Sequence, residues 1–285
     1  MTDTLPDTAS EMRVGRTRPG GLLLRMLPAG AYAGRARTLV ERNLLVHRRF
    51  WLNFVAGLGE PLFYLVAVGV GFGKLAGDLT GPGGAPISYA AFVAPGLLAA
   101  SAMNGAIYDA TIGVFFKIKY NRTFEAMLAT PVGPIDLALG EVSWALLRGG
   151  LYASGFVTVM LGMGLVTSWW GLLILPAALF TAFGFAAFGM ACATFMRSWR
   201  DVDLVQLLLL PMFLFSTTFF PITVYPPAIR IVVEILPLYQ GIEIMRALTT
   251  GVVGWPILGH VAYFAGLAAF GMVVTARRFG RLLLK

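Results

Sequence analysis

Apolar residues run along this chain in long blocks, with short polar or basic connections between them. A block of about 20 mostly apolar residues is long enough to cross a hydrocarbon core of about 30 Å. Six blocks meet that description: about 54–72, 89–114, 137–166, 170–195, 204–220 and 257–276. The third exceeds the bilayer and is expected to tilt. Pro61, Pro95, Pro176 and Pro211 fall in or near the blocks. Kinks there are tolerable where neighbouring helices or Ser/Thr groups satisfy the freed carbonyls.

Two further stretches are amphipathic. Residues 33–52 contain "AGRARTLVERNLLVHRRFW", which interleaves apolar and basic positions at helical spacing. This predicts a helix lying in the membrane interface, Arg heads toward lipid phosphates. Between the fifth and sixth blocks runs "PITVYPPAIRIVVEILPLYQGIEIMRALTTGVVGWP", broken by Pro226, Pro227 and Pro237. Its halves pair Arg230 with Glu234 and Glu243 with Arg246 at i,i+4 and i,i+3 spacing. Two short re-entrant helices in the outer leaflet fit this better than another crossing. Residues 1–32 are rich in Pro, Gly, Thr and Arg and read as a disordered N-terminus.

Composition fixes the class. Of 285 residues, 58% are hydrophobic and 13% charged, with a mean hydropathy of +0.77. Soluble domains carry about 25% charged residues. The expectation is an all-α integral membrane protein, multi-pass in the cell (plasma or inner) membrane. Charge then sets orientation. Eighteen of the 22 Lys and Arg lie in residues 1–50, in the second-to-third and fourth-to-fifth connections, and in the tail. By the positive-inside rule both termini are cytoplasmic. The net charge of +8 is therefore a topology signal, and nucleic acid is not an expected partner. The first block follows a long basic segment, too late for a cleavable signal peptide, so it is expected to stay as a span.

Candidate chemistry is sparse. His47 and His260 are far apart, and there is no HExxH or G-x-S-x-G. The lone Cys192 sits in an apolar block, where a small packing residue is the ordinary reading. "VGVGFGKL" at 68–75 fails the phosphate-loop pattern, because Val68 opens it and Leu75 follows the Lys. No cofactor or metal is expected in this chain. Glu60, Asp109, Glu141 and Arg148 are the charges within blocks, all toward the cytoplasmic side. They read either as interfacial packing and mutual pairing, or as a polar vestibule for a charged head group. No midplane row of acids suggests a proton relay.

After the second block comes "FKIKYNRTFEAMLATPVG", from Phe116 to Gly133. Its register is helical, and Phe124, Met127 and Leu128 share one side. Thr130-Pro131 ends the helix. On physical grounds it is either a connecting helix or a docking peg.

Longer stretches carry a resemblance. "SAMNGAIYDATIGVFFKIKYNRTFEAMLATPVGPIDLALGEVSWALLRG", "FSTTFFPITVYPPAIRIVVEILPLYQGIEIMRALTTG" and "EPLFYLVAVGVGFG" resemble type-2 ABC exporter permeases. The likeness is to the branch that includes the nodulation-factor (lipo-chitooligosaccharide) exporter permease. It covers residues 35–280, so 53–285 corresponds to the type-2 ABC transmembrane domain. The resemblance implies six spans, an interfacial helix, two re-entrant helices, and a dimer of permeases, expected as a homodimer. It implies a separate ATPase subunit that binds ATP and Mg and docks on a coupling helix. By position that helix holds Asn121, Arg122, Phe124, Glu125, Met127 and Leu128. Arg122 and Glu125 would be polar contacts; Phe124, Met127 and Leu128 would be the apolar face. ATP-driven closure would then move spans as rigid bodies. The expected cargo is amphiphilic: a lipid-linked saccharide, glycolipid or similar molecule. A drug or antibiotic efflux permease is the alternative. A membrane-embedded lipid-modifying enzyme would need a His, Asp or metal-ligand cluster that is absent from the sequence. Phe213, Phe215, Phe219 and Phe220 would line an outer aromatic gate at the dimer interface, or pack against lipid.

Overall fold

The computed structural model describes residues 36–47, 59, 61–73, 79–81, 84–121, 123–130 and 132–283. The fold is almost wholly helical. Helix α1 (Ala36–His47) precedes α2 (Leu65–Phe72), which is wound with π-helical spacing. A two-residue antiparallel pair, β1 (Leu79–Thr80) and β2 (Pro86–Ile87), follows. Then come α3 (Tyr89–Lys119), α4 (Thr123–Leu128) and α5 (Pro134–Gly162). Helix α6 (Trp169–Ala193) opens with a 3₁₀ turn. The remainder are α7 (Trp199–Phe215), α8 (Pro227–Ile235), α9 (Pro237–Thr250) and α10 (Pro256–Leu283).

Local chemistry sets the boundaries. The Ser88 hydroxyl accepts the Ala91 N–H and starts α3. Pro134 occupies the first turn of α5, and the Asp136 carboxylate accepts the Gly133 N–H at 3.0 Å. Gly164, at φ +68°, lies just past the end of that helix. Between α8 and α9, Leu236 is extended ahead of Pro237, so the two short helices cannot merge. Helix α9 ends at Gly251 in the left-handed conformation.

Four helices among the described residues are long and apolar enough to cross a membrane: Tyr89–Lys119, Ile135–Gly162, Trp169–Ala193 and Pro256–Phe279. They correspond to the second, third, fourth and sixth expected blocks. The first block lies partly outside the described residues, which include α2 but not Glu60. The disordered reading of residues 1–32 also lies outside them. The expected boundaries need correction. The second helix runs on past 114 to Lys119, and the third spans Pro134–Gly162 instead of 137–166. The fifth is Trp199–Phe215, not 204–220. Asp201 accepts the Ser198 N–H and starts that helix ahead of its apolar part, and a turn at 216–218 stops it. The last helix continues to Leu283 rather than stopping at 276.

Helix α3 is the centre. Sixteen of its first 20 residues, Tyr89–Tyr108, are buried. It packs against α2, α5, α6 and α9, and α6 packs in turn on α5 and α10. Helix α1 crosses the start of α5, where Leu39 sits over Gly140. Lipid chains are as apolar as leucine, so helices in a bilayer associate through close packing and polar contacts. Gly271 on α10 shows how close: a Cβ there would stand 2.4 Å from the Ala187 carbonyl carbon of α6.

Polar links tie the ends. At one end, Arg278 donates to the Thr194 carbonyl and stacks over Phe195 at 3.9 Å. This end also carries Lys117, Lys119, Arg197, Arg200 and Arg277, and is called the basic end below. At the other end, Tyr89 donates to the Phe219 carbonyl, and the Thr167 N–H donates to the Thr249 carbonyl. Arg246 pairs with Glu243 at 2.5 Å, as its spacing predicts. Arg230 does not pair with Glu234. It donates instead to the Tyr225 and Thr223 carbonyls at 2.7 and 2.8 Å, because the turn before α8 leaves these acceptors within its reach.

The α6–α10 crossing yields a direct test. Gly271→Ala should lower stability by about 1–3 kcal/mol through overpacking, seen as unfolding at lower SDS fraction in mixed micelles. Gly266→Ala, where an added Cβ meets nothing within 4 Å, should lose nothing. Equal behaviour of the two variants would contradict the close crossing.

Candidate functional site

Helix α7 stands apart from the bundle. Val202 is its only buried residue, while Leu204, Leu207, Leu208 and Leu210 are exposed. Between α7 and α3 runs a groove of about 400 Å³. Helix α3 contributes Ser101, Asn104, Tyr108 and Thr111, roughly one helical turn apart. Helix α7 contributes Val205, Gln206, Leu209 and Phe213, with Pro61 and Tyr64 alongside. The walls are apolar, and the polar groups among them are uncharged hydroxyls and amides. Ser101 and Thr111 are each 1% exposed, and neither hydroxyl has a partner.

A π-turn at Asp109–Gly113 shapes this wall. Such turns insert an extra residue and redirect side chains. Tyr108, Thr111 and Ile112 line the groove, while Asp109 bonds Arg148 of α5 at 2.6 Å. Arg148 also donates to the Tyr152 hydroxyl at 3.0 Å. Glu141 lies two turns away on α5 and bonds Lys117 at 2.5 Å. Of these charges, read as mutually paired or as a vestibule, Asp109 and Arg148 pair with each other and Glu141 pairs with Lys117. Glu60 lies outside the described residues.

At the end away from the basic residues, three aromatic rings gather. Phe213 meets Phe219 at 5.3 Å and Tyr64 at 5.8 Å, and Tyr64 meets Phe219 at 6.5 Å. Phe215 and Phe220 are exposed, and Phe215 is absent from the groove lining. The turn carrying Phe219 is held from both sides. Thr217 adopts φ +61°, uncommon for a β-branched residue. The Thr217 carbonyl accepts Arg246 at 2.8 Å, and the Arg246 guanidinium lies over Phe92 at 4.2 Å. Opposite, the Thr218 backbone crosses α3 at Gly96, where a Cβ would come within 3.0 Å.

The 116–128 segment lies at the basic end. The Phe116 carbonyl accepts the N–H groups of Tyr120 and Asn121, each at 3.0 Å, and closes α3. Asn121 and Glu125 are exposed, and Leu128 is half-buried. Phe124 is fully buried against Phe279 of α10, ring centroids 5.8 Å apart. The structure thus turns Phe124 inward, away from the apolar docking face expected for it. Met127 is half-buried, and its sulfur accepts a contact from Arg42 of α1 at 3.6 Å. Arg122 lies outside the described residues.

Sequence reasoning missed Lys117 as the partner of Glu141, and Tyr64 as a member of the aromatic cluster. It also missed the groove hydroxyls of Ser101 and Thr111. The Ser101, Asn104, Tyr108 and Thr111 spacing was available as a signal, but only the position of α7 makes it a wall.

The architecture defines a polytopic helical membrane protein with a lateral groove and a short exposed helix at the basic end. Comparison with known proteins gives the family. The ABC-2 type transporter profile matches residues 35–249. Nodulation protein J of Rhizobium meliloti (strain 1021) is 31% identical over 236 residues, covering 82% of this chain and 87% of that protein. Nodulation protein J of Rhizobium leguminosarum bv. viciae is 33% identical over 230 residues, covering 79% and 85%. The inner membrane transport permease YadH of Escherichia coli (strain K12) is 28% identical over 189 residues, covering 64% and 70%. The chain belongs to the ABC-2 type transporter family and is a multi-pass, membrane-embedded transport subunit of the cell membrane.

Two tests follow from the basic end. Lys117→Met leaves the Glu141 carboxylate, 3% exposed, without its cation. Breaking such a pair costs about 3–5 kcal/mol, whereas replacing both partners is far milder. Lys117→Met/Glu141→Leu should therefore recover most of the loss in an SDS unfolding titration. The second test concerns Asp201, in the capping turn of α7. Hydrogen bonds from the Arg197 and Ser198 N–H groups hold its carboxyl below the usual aspartate range. The cap is thus in place above that range and is lost as pH falls through the lowered value. Hydrogen-exchange protection in the first turn of α7 should fall with acid in the native protein. In Asp201→Ala it should be low throughout and unresponsive to acid.

Proposed function

We propose that this chain is the permease of an ATP-driven exporter that moves an amphiphile from the cytoplasm or inner leaflet outward. The groove between α3 and α7 carries this reading. Its apolar walls suit an acyl or aromatic part, and its uncharged hydroxyl and amide groups suit a polar head rich in hydroxyls or amides. A lipid-linked saccharide or glycolipid has both parts.

By the positive-inside rule the basic end is read as the cytoplasmic end, with both termini inside. Six spans follow, with the first through α2 and the fifth being α7. Helices α8 and α9, at 9 and 14 residues, are too short to cross and re-enter from the outer side. The bare apolar face of α7 meets a second copy, giving a homodimer around the groove. The Phe213–Phe219–Tyr64 cluster forms the outer closure, and the Phe215 and Phe220 rings face outward beside it.

Energy arrives through a separate ATPase that binds ATP and Mg. Helix α4 is its docking element. Asn121, Arg122 and Glu125 supply polar contacts, and Leu128 an apolar one. Phe124 anchors the helix to α10, and Met127 touches α1, so a load on α4 passes into the bundle.

Co-expression with the ATPase encoded nearest this gene tests the reading. The purified chain alone should hydrolyse no ATP, and the complex should. Arg122→Ala/Glu125→Ala should lower hydrolysis by the complex about tenfold, the equivalent of about 1.4 kcal/mol of docking energy. Undiminished hydrolysis in a folded double variant would remove α4 from the docking role.

A further inference from the structure

Beyond the basic end of the groove, α3 and α7 meet through an aromatic contact. The Phe116 ring of α3 meets the Trp199 indole of α7 edge to face, centroids 5.2 Å apart. The lining begins about a turn further in, at Thr111 and Ile112 on α3 and Val205 on α7. Phe116 is also the point where α3 hands over to the docking segment. Its carbonyl receives the Tyr120 and Asn121 N–H groups, and its ring lies 5.4 Å from the Tyr120 ring. One residue therefore touches α7 beside the groove and anchors the turn that leads into α4.

The two sides of the contact are held very differently. On α3, Lys117 is bonded to Glu141 of α5, so the backbone beside Phe116 has a fixed pivot. On α7, Val202 is the only buried residue, so little opposes a tilt of the whole helix. The first turn of α7 is nonetheless stiff, because Asp201 accepts the N–H groups of both Arg197 and Ser198. A displacement at Trp199 thus swings α7 as a rod instead of unwinding it.

We propose that Phe116 and Trp199 form a latch at the cytoplasmic mouth of the groove. Movement of α4 reaches it through Tyr120 and releases it, and cargo then enters between α3 and α7. Both are positioning residues. The inference rests on the export reading, and specifically on α4 as the ATPase-docking helix.

A reversible cross-link tests it. Phe116→Cys/Trp199→Cys is built on Cys192→Ser, reconstituted with the ATPase in lipid nanodiscs, and treated with a short bis-methanethiosulfonate. Without nucleotide the link should form and stop ATP hydrolysis, and reductant should restore it. With ATP and vanadate its rate of formation should fall about tenfold, within the usual range of coupling between two sites. Linking at equal rates in both states, with hydrolysis unimpaired, overturns the latch. Trp199→Phe keeps a ring at the contact and should hydrolyse ATP like the native complex. Trp199→Ala should hydrolyse ATP several-fold faster than native without cargo, at unchanged melting temperature. A native rate in Trp199→Ala also overturns the latch. If no ATPase binds the native chain, the export reading fails and the latch fails with it. Binding and hydrolysis with an indifferent cross-link sink the latch alone.

Discussion

Close backbone approach is the constraint on which this bundle depends. In lipid, burying a leucine against another helix gains little over leaving it against an acyl chain. Helices must then come near enough for dense packing and for polar groups to meet. Ala and Gly on α3 and α6 permit this, and the bare Cα of Gly271 lets α10 lie directly on the α6 backbone at Ala187. The turn after α7 approaches α3 in the same way, at Gly96. Where small residues give way to leucines, on α7, the approach stops and a groove begins. Tight packing and the open groove are thus two outcomes of one rule.

Charge is distributed with equal economy. Among the described residues, the ion pairs Lys117–Glu141 and Asp109–Arg148 join α3 to α5, Glu243–Arg246 lies within α9, and none of these residues lines the groove. A charge withdrawn from water is costly unless paired, so the two α3–α5 pairs also fix those helices to each other. Arg246 does most in this respect. It joins α9 to the turn after α7 and to the Phe92 face of α3, and so holds a left-handed Thr217 that would otherwise be strained. The groove is left with neutral hydrogen-bonding groups, which can exchange partners at low cost.

Much of the helix layout was legible in the sequence, since span length depends on local composition. The second, third, fourth and sixth blocks appear as helices close to their expected places. The fifth was displaced by five residues because hydropathy registers leucines and ignores caps; Ser198 and Asp201 begin the helix before its first leucine. Phe124 shows a different limit. Helical spacing puts it beside Met127 and Leu128, but cannot say that Phe279 arrives on that side from 155 residues further along. Arg230 shows a third, because free carbonyls near a proline-broken turn compete with a carboxylate one turn away. The groove was the least legible feature. It consists of the space between two helices, and no residue pattern on either one records their separation.

The π-turn of α3 has a consequence for how such a helix changes over evolutionary time. Each residue of an α-helix turns the chain by about 100°. The extra residue at Asp109–Gly113 therefore sets the angular phase of everything after it relative to everything before. The part before the turn is locked by its neighbours on all sides, whereas the part after it aims Phe116, Lys117 and the start of the 120–128 segment. Loss of that one residue would leave the enclosed half untouched and rotate the other by over a quarter turn. Lys117 would swing away from Glu141, and Phe116 away from Trp199. The turn is thus a phase joint: it lets the embedded half and the protruding half of one continuous helix diverge independently.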